Sequence, residues 1–244
     1  MIQKILINKQ GRKFYVKDTS FDFHTQFGMI SKKDLKKKDG SLLKTNTGKE
    51  FYIFSAGFAD KYNKLKREAQ IITKKDIGLI ITNTGIGKNS KVLDAGAGSG
   101  ALSCELANIC KEVIAYDNRD NAIKTVKHNI ELLGLKNLKI KKKDIYQGIS
   151  DKNFDLIMLD LPEPWRVLEH CFKALKHGGF LVCYLPSITQ VTQLIDSLNK
   201  NDNFVYGKTV ELIEREWKID GKKIARPESQ MLGHTGFLIF SRRV

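Results

Sequence analysis

The segment Val92-Leu93-Asp94-Ala95-Gly96-Ala97-Gly98-Ser99-Gly100 constrains this chain more than any other. A short apolar strand runs into three glycines at alternate positions, and a helix-compatible stretch, Ala101–Cys110, follows at once. Glycines at such a turn remove side chains, so a ligand can lie against the backbone. In open α/β sheets that ligand sits beyond the carboxyl ends of the strands, where the strand order reverses. The spacing here is GxGxG, with an acid two residues before the first glycine. A dinucleotide loop is GxGxxG and has no use for that acid.

The residues downstream carry the matching rhythm. Strand-like runs at Val113–Tyr116, Leu138–Lys141, Phe154–Asp160 and Phe180–Leu185 alternate with helical segments at Asn121–Leu133, Trp165–Leu175 and Ile188–Leu198. Gly134 stops one helix, and Gly178-Gly179 reads as a turn before the fifth strand. This alternation predicts a doubly wound parallel sheet. Ahead of it, Thr73-Lys74-Lys75-Asp76 reads as a capping box opening a helix over Ile77–Thr84, which Gly85 ends. The tail has two strand-like runs, about Val205–Trp217 and Phe237–Ser241, with no helix between them, as in an antiparallel hairpin closing the sheet edge. Residues 1–66 differ. Lys4–Ile7, Lys13–Val16 and Glu50–Phe54 lie between the turn formers Gln10-Gly11, Asp39-Gly40 and Asn46-Thr47-Gly48, giving a small β-rich unit. Some of these runs are expected to be edge strands open to another subunit. The chain therefore divides into residues 1–66 and a main domain, residues 67–244.

Three carboxylates fall at the ends of successive strands. Asp94 is placed either to orient the glycine loop or to reach the ammonium of a methionine moiety, an interaction a pyrophosphate would not want. Asp117, about 20 residues on, is placed to accept hydrogen bonds from both ribose hydroxyls. Asp144 is placed to accept from an adenine amino group, or simply to cap its turn. With Gly96, Gly98, Ser99, Gly100, Ala101 and Leu102 they make a pocket for S-adenosylmethionine in preference to NAD. The fourth strand delivers Asp160 into Asp160-Leu161-Pro162-Glu163-Pro164-Trp165, where two prolines stiffen the loop. Asp160 is the candidate catalytic residue and a further cofactor neighbour.

Charge points to the partner. Lys+Arg of 42 against Asp+Glu of 27 gives a net charge of +15, carried by 34 Lys and 8 Arg. A polyanion that meets such a surface releases counterions. The Lys32–Lys38 run and the Lys61–Arg67 cluster are the candidate RNA-facing surfaces, with Lys139–Lys143 a weaker one. Cys104, Cys110, Cys171 and Cys183 form no CxxC pair and have no histidine at ligand spacing, so buried thiols are expected, without metal. No apolar run approaches the roughly 20 residues that span a bilayer, and Met1-Ile2-Gln3-Lys4 opens no secretory signal. A cytoplasmic protein is expected.

The segment Asp160–Trp165 resembles the DxPxPW-like motif of the tRNA (adenine-N1)-methyltransferases that act on the T-loop. His24-Thr25-Gln26-Phe27-Gly28, Gln70-Ile71-Ile72-Thr73-Lys74-Lys75-Asp76, and Arg226-Pro227 through Gly233-His234-Thr235-Gly236-Phe237 are similar to further stretches of that family, which together span nearly the whole chain. At position 73 the family carries an aromatic residue, followed by Pro-Lys-Asp; this chain has Thr73, so an aromatic wall is missing there. The resemblance implies a class I, Rossmann-like methyltransferase fold with a small N-terminal β domain, S-adenosylmethionine as donor and a homotetramer. It also implies a target adenine at position 58 of tRNA, with position 57 as a second target in some members. His234 is expected to be structural or near RNA, because adenine N1 carries no proton for a base to remove. Arg226 either binds phosphate or ties the closing hairpin. The alternatives are a class I methyltransferase with a small-molecule substrate and an inactive RNA-binding subunit of the same fold.

Overall fold

The computed structural model describes every residue except Met1, Ala69 and Lys222. Met1 opens the expected N-terminal unit and lies outside the described residues. The backbone separates into two compact units, Met1–Lys66 with Glu131–Gly134, and Arg67–Ile130 with Leu135–Val244.

In the first unit, β1 (Lys4–Ile7), β2 (Lys13–Val16), β3 (Phe23–Thr25), β4 (Gly28–Ile30), β5 (Leu42–Lys44) and β6 (Glu50–Ser55) precede a short helix α1 (Phe58–Tyr62). Four of them form an antiparallel sheet in the order β2-β1-β6-β5, while β3 and β4 pair as a separate hairpin. Strand β6 alternates in burial, with Phe51 and Ile53 in a core shared with Leu6, Val16, Ile30, Leu35 and Leu43. Of the three expected runs, β2 lies at an edge of this sheet, while β1 and β6 are interior. The three-residue strands β3, β4 and β5 were too short to show a period of two.

The second unit starts with α2 (Lys74–Thr84), then alternates β7 (Lys91–Ala95), α3 (Ala101–Ile109), β8 (Glu112–Asp117), α4 (Asp120–Leu133), β9 (Leu138–Lys142), β10 (Phe154–Leu159), α5 (Leu168–Ala174), β11 (Leu175–Leu185) and α6 (Ile188–Asn199). Strands β12 (Phe204–Glu211), β13 (Trp217–Asp220), β14 (Ile224–Pro227) and β15 (Phe237–Arg243) complete it. The main sheet has the order β12-β15-β11-β10-β7-β8-β9. Strands β7 to β11 are parallel, whereas β15 runs antiparallel to both β11 and β12. The order reverses between β7 and β10, which opens the ligand crevice at their carboxyl ends. Strands β7 and β10 are buried along almost their whole length, as parallel strands covered on both faces must be.

Four local readings are corrected. Residues Leu175–Leu185 form one strand, and Gly178-Gly179 is a bulge inside it instead of a turn before it. Gly178 has a φ of 73°, and a Cβ on Gly179 would meet the Lys176 and Phe154 carbonyls, so only glycine lets the strand bend there. The expected run to Trp217 stops at Glu211, and Trp217–Asp220 instead pairs with Ile224–Pro227 in a ribbon inserted in the closing hairpin. The helix expected from Trp165 begins as a 3-10 turn, Pro164–Val167, before turning α-helical at Leu168. Lastly, Thr73 caps α2 by position only, since its hydroxyl donates to the Asp76 side chain rather than accepting from the backbone.

That Thr73–Asp76 contact belongs to a buried cluster. The Lys75 ammonium donates to Asp76 Oδ1 at 2.8 Å and to Thr235 Oγ1 at 2.7 Å, and Thr235 Oγ1 donates to Asp76 Oδ2 at 3.0 Å. The Lys75 and Asp76 side chains are 8% and 1% exposed. The cluster joins the start of α2 to the segment leading into β15. Asp76→Ala would strand the ammonium, and unfolding in urea should show a loss of about 3–5 kcal/mol. The double variant Lys75→Met/Asp76→Leu should lose clearly less, because no unpaired charge stays buried.

Candidate active site

Strand β7 ends on Asp94-Ala95, and the glycine loop turns sharply above it. The Gly96 and Ala97 amides donate to the Tyr116 carbonyl at the end of β8, each at 3.1 Å. The Asp160 amide donates to the Ala95 carbonyl at 2.9 Å, so the residue after β10 is pinned beside the loop. Gly96 has a φ of 84°, and a Cβ there would run into the Asp160 carbonyl. Gly100 has a φ of 72°, and its missing Cβ leaves room for Val126 of α4. The buried Asn129 side chain donates to the Ser99 carbonyl at 2.8 Å and fixes the loop from below.

Two adjoining cavities lie over this junction, sharing Gly96, Arg119 and Asp160. One, of about 340 Å³, is also lined by Asp117, Asp144 and Tyr146. The other, of about 290 Å³, is also lined by Asp94, Gly98, Ser99, Ala101 and Leu102. Every residue expected at the site therefore lines one or both cavities except Gly100, whose part is packing. Asp94 and Asp117 open on different cavities, and Asp160 opens on both.

The three carboxylates stand in different electrostatic settings. Burial pushes Asp94 up to about 7, against the Ser103 hydroxyl that hydrogen-bonds it and with the neighbouring Asp160 and Asp117 charges adding to the rise. Burial also pushes Asp160 up, to about 6, and the Arg119 charge works against the rise. The Asp160 carboxylate has no hydrogen-bond partner among the described residues, so it keeps its acceptor capacity for a ligand. Burial raises Asp117 too, but the Arg119 and Gly98 hydrogen bonds outweigh it and hold this carboxyl below its ordinary value. Asp144 caps the following 3-10 turn by accepting from the Tyr146 amide at 3.0 Å through Oδ1, so the capping reading holds at that oxygen while the residue also faces the cavity.

Some lining residues escaped the sequence reading. Arg119 faces both cavities, and only its position two residues after Asp117 hinted at it. Tyr146 accepts from the Glu163 amide at 3.2 Å and lies under the Arg166 guanidinium, a bracing of the proline loop that no local pattern shows. His234 is bonded through both ring nitrogens, to Glu211 Oε1 at 2.6 Å and to the Pro186 carbonyl at 3.0 Å. The two contacts tie the closing strands and, Glu211 first, raise the ring's pKa, which favours the imidazolium able to donate from both nitrogens. Arg226 donates to the Pro227 carbonyl and to the hydroxyl of Ser229, two residues beyond β14.

The basic surfaces also separate. In the Lys139–Lys143 run, Lys139, Lys141 and Lys142 pair with Glu112, Asp151 and Asp120. In Lys32–Lys38 only Lys37 has an ion-pair partner among the described residues, Asp34 at 2.7 Å. All four cysteines are buried free thiols. No helix among the described residues is long and apolar enough to cross a membrane, and no cluster among them has the makings of a metal site.

A doubly wound sheet with this reversal point, a GxGxG loop and carboxylates at three strand ends defines a class I S-adenosylmethionine-dependent methyltransferase. The cradle over Gly96, closed to any Cβ, and the unpartnered Asp160 fit that cofactor. Residues 61–225 match the family described as tRNA methyltransferase complex GCD14 subunit, and the chain belongs to it. The tRNA (adenine(57)-N(1)/adenine(58)-N(1))-methyltransferase TrmI of Methanocaldococcus jannaschii is 34% identical, over 98% of this chain and 94% of that one. Among solved structures, an S-adenosylmethionine-dependent O-methyltransferase of Thermotoga maritima superposes with a TM-score of 0.87 at 29% identity, over 100% of this chain and 93% of that one. The tRNA (m1A58) methyltransferase TrmI of Aquifex aeolicus gives 0.81 at 27%, over 99% and 96%.

Gly96→Ala should weaken S-adenosylhomocysteine binding about 10-fold or more by calorimetry, because the new Cβ must displace backbone. Gly85→Ala at the end of α2 is the control: its φ of 65° is strained too, but open space surrounds it, and binding should not change.

Proposed function

We propose that this enzyme transfers a methyl group to N1 of adenine 58 in the T-loop of tRNA; the M. jannaschii relative is named for action at both 57 and 58. The observation that carries the reading is Asp160, a half-buried carboxylate without a partner, held by backbone at the rim shared by both cavities. We assign Asp117 to the cofactor ribose, Asp144 to its adenine, and Asp94 with the Gly96–Leu102 loop to its methionine end. When bound, S-adenosylmethionine supplies an electrophilic methyl group on a sulfonium.

Asp160 does the rest through charge and hydrogen bonding. Its carboxylate accepts a hydrogen bond from the adenine N6 amino group and pushes electron density toward N1. The base becomes cationic as it is methylated, so an ionised Asp160 is favoured more in the transition state than in the ground state. No general base is needed, consistent with His234 being committed to Glu211 and Pro186. Leu161 and Glu163 interleaved with the prolines also separate this loop from the Asn-Pro-Pro-Tyr type suited to exocyclic amines. A T-loop adenine is stacked in folded tRNA and must be extruded, at a cost of a few kcal/mol. We assign the exposed Lys32–Lys38 run to the phosphate contacts that offset this. A homotetrameric assembly, a cytoplasmic location and a domain division at residue 66 belong to the same reading, the last supported by the compact unit that ends at Lys66.

Purified protein incubated with labelled cofactor and a tRNA transcript should yield N1-methyladenosine on nucleoside analysis; label only in another nucleoside would overturn the assignment. In single turnovers, Asp160→Asn and Asp160→Ala should each be slower by about 10²–10³. The sign of the pH effect follows from burial. Asp160 must be ionised to act and titrates near 6, so kcat/KM should fall as pH drops through that value. In Asp160→Asn this limb should be lost, because the replacement amide does not titrate.

A further inference from the structure

Asp117 is already fully engaged in this structure. Its Oδ1 accepts from the Arg119 amide and from Arg119 Nε, both at 3.0 Å. Its Oδ2 accepts from the Gly98 amide at 3.0 Å and from Arg119 Nη2 at 2.9 Å. A carboxylate offers about four lone-pair positions, and all four are taken. A ribose diol bound to both oxygens needs two of them. The Gly98 and Arg119 amides are fixed by the loops that carry them, so only the guanidinium can give way. It is free to do so, since the Arg119 side chain is 60% exposed while that of Asp117 is 3% exposed.

We propose that Arg119 is a latch that holds the ribose position on Asp117 and is exchanged for the cofactor's vicinal hydroxyls. This rests on the assignment of Asp117 to the ribose. The geometry gives the arginine somewhere to go. Besides the two cofactor cavities, Arg119 borders a third, of about 530 Å³, lined by Glu68, Gly98, Asp120, Asn121 and Ala122. Swinging into it keeps the cation beside carboxylates and leaves the loop undisturbed. The exchange has two consequences. Affinity for any ligand carrying a 2′,3′-diol is reduced by the strength of the arginine pair that it must break. Product departure is assisted, because the guanidinium recaptures Asp117 as the ribose leaves. The latch also keeps the buried Asp117 charge paired when no ribose is bound.

Calorimetry on the full-length protein tests this without any RNA, using S-adenosylhomocysteine, adenosine and 2′,3′-dideoxyadenosine. Arg119→Met should bind the first two more tightly, by roughly 2- to 5-fold for a pair this exposed. It should bind the dideoxynucleoside unchanged. Release of S-adenosylhomocysteine, followed by stopped flow, should slow by a similar factor. Arg119→Lys should fall between, because one ammonium cannot chelate both oxygens as the planar guanidinium does. Weaker binding of S-adenosylhomocysteine by Arg119→Met would make Arg119 a cofactor contact and overturn the latch, as would equal changes for adenosine and the dideoxynucleoside. If the wild-type protein binds none of the three, the cofactor assignment fails first, and the latch with it.

Discussion

The close approach of Gly96 to the Asp160 carbonyl sets the dimensions of everything around it. The Asp160 amide bonded to Ala95 and the absent Cβ at Gly96 hold the ends of β7 and β10 together where the sheet reverses direction. A side chain at position 96 would force the two strand ends apart and widen the gap between the glycine loop and the Asp160 carboxylate. With the roles proposed for the loop and for Asp160, that separation would set the rate of an in-line methyl displacement. Loop and carboxylate therefore act as one unit, although they are more than 60 residues apart in the chain.

Burying carboxylates at three neighbouring strand ends is unfavourable, and each is handled differently. Asp117 is neutralised by an arginine that is itself mostly in solvent. Asp94 meets the Ser103 hydroxyl and is shifted toward protonation. Asp160 is left without a partner, which is tolerable because it remains open to the cavities. The site thus leaves one acceptor unsatisfied, at the residue proposed to act on the substrate, and satisfies the others. A cationic ligand relieves the repulsion among the three, which gives this pocket an electrostatic preference that a pyrophosphate would reverse.

The parallel core was legible because β8, β10 and the Phe180–Leu185 part of β11 contain apolar runs bounded by glycine or charge, and Val92-Leu93 leads straight into the glycine loop. The glycine loop and the positions of Asp94, Asp117 and Asp160 followed from those strands. What escaped depends on tertiary position. The ribbon Trp217–Asp220 with Ile224–Pro227 has no buried residue, with Trp217 and Ile219 at 59% and 73% exposure, so no buried face betrayed it. The bulge at Gly178-Gly179 looks like a turn until the register with β10 is known. Arg119 and Tyr146 matter through what they touch, and their neighbours in sequence give no hint of it. Asp144 was readable two ways, and it does both, capping with one oxygen while facing the cavity.

The most direct measurement pairs the enzyme's carboxylate with the substrate's amino group. Single-turnover rates of wild-type and Asp160→Asn enzyme would be compared on tRNA with adenine at the target position and on tRNA carrying purine, which lacks the N6 amino group. If Asp160 acts through that group, either change alone removes the benefit, and both together cost little more than one. Losses that multiply independently would show that Asp160 and the amino group do not interact, and would contradict the mechanism.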